Sequence, residues 1–88
     1  MDIKNHIRLN TLGLLCPQPI IETAQRIKKL KKGQVLEIIS DDWGMISDLP
    51  AWCKSTGHIL ISIKEEKDLI RCYVKKRGKE SKRQRLRD

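Results

Sequence analysis

Phenylalanine is absent from this chain, and aromatic residues of every kind make up only 3% of it. Trp43, Trp52 and Tyr73 are the whole supply. A platform that stacks successive nucleic-acid bases on exposed rings is therefore poorly provided for. No apolar run approaches the roughly 18–20 residues of a membrane-spanning helix, so no membrane partner is expected. The three cysteines are an odd number, and no two of them form a Cys-x-x-Cys pair. A disulfide framework is not expected. A zinc site built from Cys16, Cys53, Cys72 and His58 would need ligands scattered along the chain, without the paired spacing of zinc sites. The reading is of a protein without metal or cofactor. The stretch "MDIKNHIRLN" carries no apolar signal region, and the expected compartment is a reducing cytoplasm.

What is present is charge, unevenly spread. The chain has 88 residues, with 19 basic and 11 acidic side chains for a net +8. Residues 75–88 hold eight basic side chains against two acidic ones, so most of the excess lies at that end. The length fits one domain. Residues 1–76 are read as that domain, and residues 77–88 as a basic, disordered tail in which apolar residues almost vanish. The tail could meet RNA, DNA or an acidic protein through phosphate-type electrostatics.

Periodicity gives the elements. "HIRLN" alternates, with Ile7 and Leu9 on one face. Pro17 suits a first helical turn, where its missing N–H costs nothing. Ile20, Ala24, Ile27 and Leu30 then form a helical stripe that Gly33 is expected to end. "QVLEIIS" reads as a strand with Leu36 and Ile38 on one face. Ile46, Leu49, Trp52, Cys53 and Thr56 space as a second helix. Pro50 falls inside it, so a short first turn is expected, with Asp48 recapping the remainder. "HILISIK" alternates with Ile59, Ile61 and Ile63 on one side, and "LIRCYVK" with Ile70, Cys72 and Val74. The order is β-α-β-α-β-β. Each element has one apolar face, which predicts an α/β (α+β) two-layer sandwich: a four-stranded mixed sheet with two helices on one face.

The chemistry points to "LGLLCPQPII". Cys16 falls at the N-cap of the first helix or just before it. Free N–H groups and the positive dipole end there favour an anion, so a thiol should ionise more easily than its reference value of about 8.5. Pro17 and Pro19 stiffen the turn and hold the sulfur at a defined exit. Spacing alone leaves a second reading open, in which Cys16 is a small buried hydrophobe. Cys53 and Cys72 lie on apolar faces and read as core.

"LGLLCPQPIIET" and "DDWGMISDLPAWCKSTGH" resemble the TusA (SirA-like) sulfur-carrier family. Gly13, the Cys-Pro-x-Pro element, Asp41-Asp42 and Gly57-His58 carry the likeness, which spans about residues 7–75. It implies a sulfurtransferase-type carrier with no independent turnover, holding sulfane sulfur as a persulfide on Cys16. Gly13, Pro17 and Pro19 would shape the loop, and Asp42 matches an acidic position near it that could contact a partner or cap a helix. The implied partners are a cysteine desulfurase or rhodanese-like donor and a downstream sulfur acceptor, in tRNA thiolation or sulfur oxidation. Trp43 stands where the family usually has proline. Ala24 stands where it often has a basic residue, which leaves the helix end or Arg26 to support the thiolate. The rival readings are a nucleic-acid-binding or regulatory module with a structural Cys16, and a redox switch through Cys16.

Overall fold

A computed structural model of the chain describes residues 7–77. The expected tail, apart from Arg77, lies outside the described residues. The elements are β1 (Ile7–Asn10), α1 (Gln18–Lys28), β2 (Val35–Ser40), α2 (Met45–Thr56), β3 (Ile59–Glu65) and β4 (Ile70–Lys75). The strands form one mixed sheet in the order β1-β2-β4-β3. β1 runs parallel to β2, which requires a crossover, and α1 supplies it. β4 runs antiparallel to both β2 and β3. A tight turn closed by the Glu66 N–H on the Leu69 carbonyl joins β3 to β4.

The core lies between the sheet and the two helices. Leu36 and Ile38 of β2 and Ile70, Cys72 and Val74 of β4 meet Ile27 and Leu30 from the α1 side and Met45, Leu49 and Cys53 from α2. Each fully buried aliphatic side chain of this kind contributes about 1.5–3 kcal/mol relative to exposure. The architecture is the two-layer α/β sandwich that the periodicity predicts.

Three local expectations need correction. α1 stops at Lys28 rather than running to Gly33. Carbonyls at and just beyond its end find another partner: Lys76 Nζ donates to those of Lys28 (3.2 Å) and Leu30 (2.8 Å). Leu30 then tucks into the core, and Gly33 takes φ +94° in the turn that leads to β2. α2 runs unbroken through Pro50, and Asp48 recaps nothing. The turn into α2 is built by Asp42, whose Oδ1 accepts from the Gly44 N–H (3.0 Å) and whose carbonyl accepts from the Met45 N–H (3.0 Å). In β3 a bulge lies between Leu60 and Ser62. One extra residue reverses the alternation, so Leu60 and Ile63 pack on the core while Ile59 and Ile61 face outward.

The sheet face away from the helices carries a polar cluster that alternation does not reveal. Glu37 of β2 is 2% exposed. Its carboxylate accepts from Arg8 Nε (3.0 Å), Arg71 Nη1 (2.8 Å) and the Tyr73 hydroxyl (3.2 Å). Arg71 also grips Glu66 through Nε (2.9 Å) and Nη2 (3.0 Å). A charge buried in mid-sheet is tolerable because its lone pairs are satisfied from both neighbouring strands.

Candidate functional site around Cys16

The loop between β1 and α1 is tied down along its length. Thr11 donates twice to the Ile39 carbonyl, from its N–H (2.8 Å) and its hydroxyl (2.6 Å), which fixes the loop's start to β2. The Leu14 N–H closes a turn on the Thr11 carbonyl (3.1 Å). Gly13 sits in that turn at φ +86°, a region that L side chains avoid, and its N–H donates to Asp41 Oδ1 (3.1 Å). A second turn follows, closed by the Gln18 N–H on the Leu15 carbonyl (2.8 Å). Cys16 and Pro17 occupy its tip, joined by a cis peptide bond. Pro17 is the N-cap residue of α1. Pro19 is buried in the first turn, and its carbonyl accepts from the Thr23 hydroxyl (2.8 Å).

Cys16 is exposed, whereas Cys53 and Cys72 are buried. The buried-hydrophobe reading of Cys16 therefore falls. Desolvation pushes both core thiols up to about 11. Leu15, next to the cysteine in the chain, is 74% exposed, and Leu12 and Trp43 are exposed as well.

The expected anion-friendly helix end is not there. Gln18 spends its N–H on Leu15, Ile20 and Ile21 spend theirs on Pro17, and Pro19 has none. The polar group that reaches the sulfur is a carboxylate instead. Cys16 Sγ donates to Asp48 Oδ2 at 3.4 Å. This hydrogen bond is the main reason that the thiol is raised above its ordinary value rather than lowered; slight desolvation and the charges of Asp48 and Asp42 add to it. Arg26 takes no part in this balance.

The structure thus brings together Gly13, Cys16, Pro17 and Asp41 in one loop pair, with Asp42 close enough to act on the thiol through its charge. Asp48 is the participant that sequence reading missed. Its place in the first turn of α2 made it look like a cap, and no local pattern signals a contact across 32 positions. Among the described residues, no group of three His, Cys, Asp or Glu side chains could hold a metal ion.

The site is thus a small two-layer α/β domain that presents one exposed thiol on a braced turn. The family model described as "Sulfurtransferase TusA" matches residues 7–76, and the chain belongs to the TusA family. It is 44% identical over 79 residues to "Putative sulfur carrier protein YrkF" of Bacillus subtilis (strain 168), covering 90% of this chain and 43% of that protein. A relative from Aquifex aeolicus (strain VF5) is 36% identical over 75 residues, covering 85% of this chain and 38% of that protein. The chain thus spans less than half the length of these two relatives. YrkI of Bacillus subtilis (strain 168) is 40% identical over 68 residues, covering 77% of this chain and 91% of its own. The fold matches the crystal structure of a SirA-like protein from Desulfitobacterium hafniense with a TM-score of 0.70, at 19% identity, over 82% of this chain and 99% of that one.

Proposed function

We propose that the chain is a sulfur carrier that accepts sulfane sulfur as a persulfide on Cys16 and hands it to another protein in a cytoplasmic relay. The observation that carries this reading is the contrast among the thiols: Cys16 stands exposed at the tip of a braced turn, while Cys53 and Cys72 are sealed in the core. Family membership and relatives named as sulfur carriers support it. Loading is one exchange. The Cys16 S–H bond breaks, the sulfur's electron pair forms a bond to the terminal sulfur of a donor persulfide, the donor's S–S bond breaks, and its leaving thiolate takes the proton. The sulfane atom carries its oxidation level with it, so no outside oxidant or reductant is needed. Delivery is the same exchange with the roles reversed.

The donor class is a cysteine desulfurase or rhodanese-like protein, and the acceptor is a second carrier or enzyme of tRNA thiolation or sulfur oxidation. An exposed thiol on a small body, next to the exposed Leu15, can enter two larger sites in turn. The test is intact mass after incubation with a persulfide donor. Wild type gains one sulfur, reductant removes it, and Cys16→Ser gains none.

A further inference from the structure

The protein as a whole is strongly basic, at net +8, yet the side chains whose charge acts on the Cys16 sulfur are carboxylates, Asp48 and Asp42. Asp48 accepts from the thiol, Asp41 holds the Gly13 N–H, and Asp42 opens α2. None of these three carboxylates is in an ion pair with a basic side chain of the described residues. Glu37 and Glu66, by contrast, are matched with arginines on the far sheet face.

We propose that Asp48 is a proton latch for Cys16: in the free protein its carboxylate holds the thiol hydrogen through the Sγ–H···Oδ2 contact, and a cationic side chain of the incoming partner releases the sulfur by pairing with that carboxylate. The proposal rests on the carrier reading of Cys16. The thiolate is the form that attacks, alkylates and oxidises. A carboxylate beside the sulfur keeps it protonated, and so inert, between transfers. A lysine or arginine that pairs with Asp48 removes both the hydrogen-bond acceptor and the repelling charge. The thiolate then forms where a sulfane sulfur is present to receive it, and the proton ends on the donor's leaving thiolate. Asp48 is a positioning residue in this scheme, since it acts only through Cys16. Asp42 and Asp41 are the other titratable groups on the loops that meet there, and no cation from α1 offsets them.

The test is the pH profile of Cys16 alkylation by iodoacetamide in the full chain, read on the Cys16 peptide for wild type, Asp48→Asn and Asp48→Ala. The wild-type midpoint is expected above the free-thiol value of about 8.5. Both variants should move to lower pH and label several-fold faster near neutrality. Variant profiles that superimpose on wild type overturn the latch, and if neither variant folds, a wild-type midpoint at or below the free-thiol value does so. Release is tested with two small donors, the persulfides of cysteamine (cationic) and of mercaptoacetate (anionic). Wild type should load faster from the cation, and Asp48→Asn should lose that preference; equal preference in both proteins rejects release by a cation. If neither donor loads any sulfur, the carrier reading fails, while the alkylation profiles still decide the latch.

Discussion

The Cys16 thiol and the Asp48 carboxylate meet at 3.4 Å across 32 positions of chain. One arrives on a turn braced against β2, and the other on the first turn of α2. Their contact joins the two halves of the site, and it sets the sulfur's resting state against ionisation.

Cys16 nonetheless remains the thiol that reagents find first. It is exposed, whereas Cys53 and Cys72 are buried and pushed up to about 11. Limiting iodoacetamide at neutral pH should label the Cys16 peptide almost alone. Equal labelling of all three in the folded protein would contradict the placement of the cysteines.

Replacing these residues separates fold from function. Cys16→Ser should melt like wild type, because the side chain is exposed and a hydroxyl can still donate to Asp48. Cys53→Ser should cost about 1–3 kcal/mol, since it places a hydroxyl in an apolar core. Thermal melts in the opposite order would refute this.

Gly13→Ala should be destabilised by about 1–2 kcal/mol, although open space surrounds the site. The cost lies in holding an L side chain at φ +86°, not in a clash. Denaturant unfolding measures it, and an unchanged midpoint would show that the turn adapts.

Stability should fall in alkali. In the folded state the Cys53 and Cys72 thiols sit at about 11 against an ordinary 9.0, so the folded chain keeps protons that the unfolded chain has lost. Their contribution is complete below pH 9 and disappears as pH rises from 9 through 11. The Tyr73 phenol, raised by desolvation and then by Glu37, acts in the same direction. Melting temperature measured across this range should drop less steeply in Cys53→Ala than in wild type; parallel curves would remove the thiols from the account.

Much of this was legible in the chain. Two- and 3.6-residue periods predict every element's presence, and the glycine, cysteine and proline spacing singles out the loop between β1 and α1. What escaped depended on distant partners. The carbonyls at the end of α1 are taken up by Lys76, the reversal in β3 goes with its register on β4, and the buried Glu37 is matched by two arginines and a tyrosine on flanking strands. The resting state of the sulfur was misread for the same reason. A helix N-terminus is a local feature that sequence displays, but the donors there are already used by Leu15 and Pro17, and the carboxylate comes from another helix.

The basic end of the chain is expected to be separable from the sulfur chemistry. Removing residues 78–88 takes away five basic and two acidic side chains and spares Arg77, whose N–H donates to His58 Nδ1. Loading of Cys16 by a small persulfide should be unaffected. Any binding to RNA should weaken and fall steeply with salt. RNA binding that survives both would place a nucleic-acid site on the folded domain.

Sulfur carriage by Cys16 is tested most directly by intact mass spectrometry after incubation with a cysteine desulfurase and cysteine. A gain of one sulfur is expected in the wild-type chain, localised to the Cys16 peptide, reversed by dithiothreitol and absent from Cys16→Ser. Sulfur found on Cys53 or Cys72, or a gain that persists in Cys16→Ser, would contradict it.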